Sequence, residues 1–388
     1  MRTFEPATLT VLTTSTCTAA CRHCSMNSSP QRRERLSWAQ LESVLRQAFE
    51  SLALRIVVFS GGEPTLLGDD LLRALALCRE HGVKTRVVTN GYWATSPEAA
   101  AARVASLREA GLDELNVSTD DFHLPWISLQ RVRYAYDAAL QAGFDAVVLS
   151  HCSGPESALH PERLRAWFGG GELRLRFGVD GQTESSEHVA GGTQVILSNG
   201  NIQQIGRTIE AVSERELDDR DDLDAAAERI GGCPWAIRGA AVTPGGHLAA
   251  CCGFELEGNP ILDYGDLREV PLAGLLDRAD GDLISNMIAV LGPPKIRRLL
   301  ERLAPGEAVF PRERYRTYCE VCSDLVGRPE NREALYRHQG AFIDAVMAGR
   351  EAYEARYTQG DRVRIPLGET IPISTHLITN EGRSSDGE

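Results

Sequence analysis

Long apolar runs are missing from this 388-residue sequence. The longest are of strand length, well short of the roughly 20 residues that a membrane-spanning helix needs, so a bilayer helix is excluded. The amino terminus, Met1-Arg2-Thr3-Phe4-Glu5-Pro6, lacks the apolar stretch of a secretory signal, and a cytoplasmic location is expected. Positive charge is in deficit: 41 Lys and Arg against 54 Asp and Glu leave a formal net charge of −13. Such a chain is a poor nonspecific ligand for a nucleic-acid backbone and suits a basic or zwitterionic partner. No low-complexity tract dominates, and an apolar content of 43% is ample for one large domain and a smaller one.

Cysteine is what the sequence does have. With no export signal, ten cysteines read as metal ligands rather than disulfides, because cytosolic thiols are kept reduced. Seven of the ten fall into groups at 17/21/24, 251/252 and 319/322. Cys78 lies in an apolar helical pattern and reads as core.

Thr16-Cys17-Thr18-Ala19-Ala20-Cys21-Arg22-His23-Cys24 places three thiols in a C-x3-C-x2-C frame just behind a β-rich run. A [4Fe–4S] cube has four corners, so three protein sulfurs leave one iron open for a small molecule. The paired C-x2-C halves usual for tetrahedral zinc are absent here, although a structural metal knuckle is the plainer alternative. Downstream, Ser60-Gly61-Gly62-Glu63-Pro64 follows the apolar run Ile56-Val57-Val58-Phe59. Glycines there allow close backbone approach, and Glu63 supplies an acceptor.

Together these motifs resemble the cysteine loop and GGEP motif of the radical S-adenosylmethionine (SAM) superfamily, in that family's order and at its usual separation. The resemblance implies that Cys17, Cys21 and Cys24 hold a [4Fe–4S] cluster that cleaves SAM to a 5′-deoxyadenosyl radical. It implies an external low-potential donor such as flavodoxin or ferredoxin. Gly61, Gly62 and Glu63 match the family's site for the methionine amine, and His23 stands where the family often has an aromatic residue. Asn90, Ser118 and Asp120 lie where it contacts the ribose and carboxylate, with ordinary turn and capping chemistry as the alternative.

Elements alternate on a strand-helix rhythm. Leu9 to Thr13 is a strand; Ser37 and Gln40 form a capping box before a helix with Leu41, Val44, Leu45 and Ala48 on one face. Ile56 to Phe59 is a second strand, followed by a helix capped by Asp69 or Asp70. Lys84 to Thr89, Glu114 to Val117 and Ala146 to Leu149 are further strands. Helices open at Ser96-Pro97, near Leu129 and at Pro161. Leu173 to Phe177 is a possible sixth strand. The rhythm predicts a parallel sheet, and about six units fit the family's α/β fold, a partial (β/α)6 TIM-like barrel, over residues 1–180. Chemistry in such barrels collects at the carboxyl ends of strands, where every motif above falls. Asp121 and His123 there suit either proton transfer or loop shaping. Cys152 suits hydrogen-atom donation or simple core packing.

Residues 181–232 read as a connection, with an acidic run from Glu214 to Arg229 that reads as a solvated helix face. Then Cys233-Pro234-Trp235 precedes Pro244-Gly245-Gly246, a hairpin turn signal, and Cys251-Cys252. The pair Cys319-Glu320-Val321-Cys322 follows. This frame, over 233–328, resembles the auxiliary-cluster domains called SPASM and, in shortened form, twitch: a small α+β domain with a β-hairpin and C-terminal helices. The resemblance implies an auxiliary [4Fe–4S] cluster on Cys233, Cys251, Cys319 and Cys322, with Cys252 in reserve; four cysteines also make a structural zinc site. No cysteine follows Cys322, so one auxiliary cluster, the twitch form, is expected. Helical periodicity over 329–365 places Ala334, Leu335, Phe342, Ile343, Val346 and Met347 in a packing stripe, and 366–388 reads as a poorly ordered tail.

The expected function is an oxidation or cross-link on a ribosomally made peptide, the auxiliary cluster taking an electron. Many peptide-modifying relatives carry an N-terminal winged-helix leader-binding domain, for which Cys17 leaves no room. The alternative is a small-molecule dehydrogenase or epimerase acting on a sugar or aminocyclitol. A non-catalytic iron–sulfur carrier is a third class, which has no need of a SAM pocket.

Overall fold

The computed structural model describes residues 2–169, 174–178, 181–217, 223 and 231–358. Alternation along the strands builds its first half. In β1 (Thr8–Leu12), Leu9 and Val11 are buried in one apolar cluster with Leu41 and Leu45 of α1 (Trp38–Ser51), while Thr10 between them faces the other side of the sheet. The same faces recur in β2 (Ile56–Ser60), β3 (Lys84–Thr89), β4 (Glu114–Ser118) and β5 (Ala146–Ser153). There Val57, Phe59, Val87, Leu115, Val117, Val147 and Leu149 join that cluster. The strands pair in parallel in chain order, with α2 (Asp69–Glu80), α3 (Pro97–Ala110) and α4 (Leu129–Ala142) between them. This is the α/β, parallel-rich fold expected.

Local signals explain most helix starts. Ser37 and Gln40 close the capping box on α1, and Ser96 caps α3 with proline at its first turn. Before α2 the expectation is corrected: neither Asp69 nor Asp70 caps it. A 3₁₀ turn, Pro64–Leu67, runs into the helix through Gly68, and both acids lie in the first turn, where the helix dipole favours them.

The sixth parallel position is also corrected. After α5 (Pro161–Phe168), the strand at Arg174–Gly178 (β6) exists but pairs antiparallel with β7 (Gly181–Ala190) at the sheet edge. The strand beside β5 is β8 (Thr193–Asn201), parallel to it from Ala146 and Gln194 to Ser153 and Asn201. Gly191 and Gly192, at φ 60° and 90°, make the two-residue turn that folds β7 back onto β8. The stretch read as a connection therefore supplies a barrel strand.

Beyond α6 (Thr208–Ala211), β9 (Ala241–Val242) and β10 (His247–Ala249) form the expected hairpin, and β11 (Asp263–Asp266) pairs with β10. β9 runs parallel to β1, so the hairpin extends the barrel sheet, in the order β11-β10-β9-β1-β2-β3-β4-β5-β8-β7-β6. Helices α7 (Leu272–Gly281), α8 (Leu283–Leu291), α9 (Pro293–Leu303), α10 (Tyr318–Gly327), α11 (Pro329–His338) and α12 (Ile343–Thr358) follow. A second apolar cluster joins Phe4, Ile288, Leu325, Leu335, Phe342 and Val346. Ile343 and Met347 leave the expected packing stripe: they are 46% and 52% exposed, each one residue beyond the buried Phe342 and Val346 that carry the stripe on from Leu335. The expected tail, 366–388, lies outside the described residues. Among the described residues no helix is long and apolar enough to cross a membrane.

Candidate functional site

The cysteine loop leaves the carboxyl end of β1 and is pinned by backbone bonds from Cys17 N to Ser29 O and from Cys24 N to Cys21 O. Two N–H groups converge on the Cys17 sulfur, from Ala19 at 3.4 Å and from Asn90 Nδ2 at 3.6 Å. Burial, with the nearby Glu63 carboxylate, pushes the Cys17 thiol up to about 12. A thiol so placed ionises readily only beside a cation, as an iron ligand does.

Gly61 and Gly62 make room for this loop. A Cβ on Gly62 would stand 2.1 Å from Thr16 O, and one on Gly61, at φ 118°, 2.6 Å from Thr14 O. Gly62 N and Glu63 N instead donate to Thr14 O and Thr16 O. The close approach that the glycines permit is thus to the protein's own cysteine loop.

Glu63 is fully buried, and its Oε1 accepts from Thr65 N, Thr65 Oγ1 and Thr89 Oγ1. Oε2 accepts from Asn90 N at 2.9 Å and keeps a lone pair for another donor. Burial raises its pKa despite these bonds. Thr89 is fixed in turn by Trp93 Nε1. Thr65, Thr89 and Trp93 are missed by motif reading, although Thr89 directly precedes the expected Asn90.

At the end of β4, Asp120 is buried and holds two imidazoles. Oδ1 meets His123 Nδ1 at 2.8 Å and the amides of Phe122 and His123; Oδ2 lies 3.3 Å from His23 Nε2. Burial opposes its ionisation, but His123 and His23 outweigh that and hold it well below the usual carboxylate range. Burial also disfavours the His123 cation, yet Asp120 raises its pKa well above the ordinary value. His23 stacks on Phe122, a protein aromatic, with ring centroids 4.6 Å apart. Ser118, half-buried, ends the strand beneath them.

The imidazolium's contribution to stability is complete below its unfolded pKa near 6.5 and is lost as pH rises through the higher folded value. Asp120's contribution is complete above 3.8 and is lost as pH falls through its lowered value. Asp120→Asn is therefore expected to cost about 3 kcal/mol near neutral pH, and less as His123 deprotonates. Chemical denaturation of both proteins from about pH 6 upward checks the sign.

Asp121 accepts from the amides of Ala158 and Leu159, the loop-shaping role of its two. Cys152 reaches the barrel mouth: its sulfur lies within 4.8 Å of ligand atoms of His23 and Asp120.

The second cysteine set gathers against the C-terminal apolar cluster. Cys233, Cys251 and Cys322 share the second apolar cluster, and Cys319 and Cys322 open α10. A Cβ on Gly253 would lie 3.4 Å from Cys319 Sγ and 3.7 Å from Cys251 Sγ, so that glycine leaves a cradle between two sulfurs. Burial raises the pKa of Cys233, Cys251 and Cys322; Cys251 also feels Cys233 and Cys252, and Cys322 feels Cys251 and Cys233. Cys252 turns away, hydrogen-bonding with Thr10 and lying near Arg86.

The parallel strand-helix sheet thus gathers thiols, a buried carboxylate and paired imidazoles at its strand ends. Residues 11–167 match the family model of the Radical SAM superfamily. The "Putative peptide biosynthesis protein YydG" of Bacillus subtilis (strain 168) is 21% identical over 126 residues, covering 32% of this chain and 40% of that protein. A GTP 3′,8-cyclase of Corynebacterium glutamicum is 31% identical over 157 residues, covering 37% of this chain and 40% of the relative. The chain thus spans about two fifths of the length of these relatives. Among solved structures, native anSMEcpe with bound AdoMet and Cp18Cys peptide is similar at TM-score 0.48 and 13% identity, over 89% of this chain and 99% of that one.

Proposed function

We propose that the chain is a radical SAM oxidoreductase or cross-linking enzyme acting on a ribosomally made peptide, with two [4Fe–4S] clusters. Cys17, Cys21 and Cys24 would hold the first cluster and leave one iron for SAM; when bound, the pair supplies a 5′-deoxyadenosyl radical for hydrogen abstraction. The single observation that carries this reading is the convergence of the Cys17 loop, Glu63 and Asn90: Asn90 touches the Cys17 sulfur while its amide holds the Glu63 carboxylate. Glu63 Oε2 has the free lone pair that an amino-acid ammonium needs, and such a cation offsets the burial of the carboxylate. Asn90, Ser118 and Asp120 would make further contacts to SAM, and Asp120 also bonds His123 and lies beside His23.

Cys233, Cys251, Cys319 and Cys322 would hold the second cluster, fully ligated and suited to accept an electron. Cys251→Ser is expected to remove about four irons per chain and Cys252→Ser none; iron assay after anaerobic reconstitution distinguishes them.

The peptide substrate is supported by the similarity to the peptide biosynthesis protein. The similarity to GTP 3′,8-cyclases favours a second reading, a small-molecule substrate processed by a dehydrogenase or epimerase. Reconstituted protein given SAM and a strong reductant is expected to release 5′-deoxyadenosine. Deuterium passing into that product from a labelled peptide supports the first substrate class, and from a labelled sugar or aminocyclitol the second.

A further inference from the structure

Residues 203–216 lie across both cysteine sites. Toward the N-terminal loop, Arg207 donates from Nη1 to Cys21 O and from Nη2 to Ser28 O, each at 2.8 Å, and its amide donates to Cys24 O at 3.1 Å. Gly206, at φ 56°, presses so close that a Cβ would stand 2.4 Å from Ser25 O and 2.7 Å from Cys24 O. From the loop, Arg22 reaches back to Ala211 O at 2.8 Å and to Glu216 at 2.6 Å.

Toward the C-terminal site, Gln204 N donates to Glu320 Oε1 at 2.8 Å, and Gln204 O accepts from Arg312. Glu320 stands between Cys319 and Cys322 and is fully buried. Its other oxygen accepts Arg316 N at 2.7 Å, while Arg316 also pairs with Glu214 of the strap at 2.7 Å. Whatever fixes the first turn of α10 fixes Glu320, and only two residues, Ile205 and Gly206, separate the amide that Glu320 holds from the arginine that holds Cys21.

We propose that Gln204, Arg207 and Glu320 form a clip through which order at the C-terminal cysteine site positions the N-terminal cysteine loop, and the reverse. Glu320 and Arg207 are positioning residues, and the inference rests on the two-cluster reading above. A buried carboxylate serving only its own helix would have no effect on residues 18–29, which it does not touch.

Hydrogen exchange on the anaerobically reconstituted full chain tests the clip, with iron assayed in the same samples. Glu320→Ala is expected to speed exchange of amides in 18–29 about tenfold, as loss of a charge-assisted hydrogen bond would. Glu320→Asp, which keeps two acceptor oxygens, is expected to restore part of the protection. Coupling is reciprocal, so Arg207→Ala, which leaves every contact of α10 in place, is expected to speed exchange across 318–327. If Glu320→Ala loosens only 204–217 and 318–327, the clip is overturned. Should Glu320→Ala fail to fold, the Arg207→Ala arm decides, and unchanged exchange at 318–327 overturns the proposal. Wild-type iron near four per chain instead counts against the two-cluster reading, and the exchange comparison still decides the clip.

Discussion

Gly62→Ala is expected to destabilise the protein by at least about 3 kcal/mol and to cut 5′-deoxyadenosine formation at least about 100-fold. The added Cβ would meet Thr16 O at 2.1 Å and Thr16 C at 2.6 Å, both backbone atoms immediately before Cys17. No rotamer change relieves such a clash; the GGE turn and the cysteine loop must separate. That breaks the bonds from Gly62 N to Thr14 O and from Glu63 N to Thr16 O, which set the distance between Glu63 and the thiols. Gly143→Ala is the matched control. Gly143 has φ 64° with nothing near its Cβ position, so alanine there is expected to cost only about 1 kcal/mol of left-handed strain and leave activity intact. Gly62 itself has no left-handed φ, so its loss comes from the clash alone; urea denaturation with a product assay on both variants checks the contrast, and a Gly62→Ala loss no larger than that of Gly143→Ala would contradict the clash.

Arg86→Ala is expected to cost about 3–5 kcal/mol. Arg86 and Glu114 are registered opposite one another on β3 and β4, are 3% and 5% exposed, and meet at 2.6 Å. Removing the guanidinium leaves a carboxylate inside the sheet with its main partner gone; burial already raises the Glu114 pKa even with Arg86 present. Replacing both residues, Arg86→Met with Glu114→Leu, is expected to recover most of the loss, because it removes the uncompensated charge. If the double variant is as unstable as Arg86→Ala in chemical denaturation, the pair matters for its shape rather than its charge.

The parts of the site that lie within a few residues of one another were legible in the sequence. Three thiols in C-x3-C-x2-C, Gly61-Gly62-Glu63 at a strand end and Pro244-Gly245-Gly246 at a hairpin each carry their own local physics. The sixth barrel strand was not legible, because Val195-Ile196-Leu197 is a short apolar run between polar residues, and only the double-glycine turn reveals that β7 and β8 form a hairpin. What Gly61 and Gly62 face could not be read either: a glycine announces a close approach without naming its partner. The strap is the extreme case. Arg207 meets Cys21 across 186 positions and Gln204 meets Glu320 across 116, and no spacing rule reaches that far.

On the proposed reading, Cys17, Cys21 and Cys24 hold an iron cube with one corner available to SAM. Electron paramagnetic resonance of the reduced protein, with Cys319→Ser and Cys322→Ser introduced to remove the second signal, tests it most directly. A cubane spectrum whose g-values move on adding SAM, and that disappears on further replacing Cys17, Cys21 and Cys24 by alanine, is the predicted result. A cluster signal indifferent to SAM, or zinc in place of iron at those three cysteines, would contradict it.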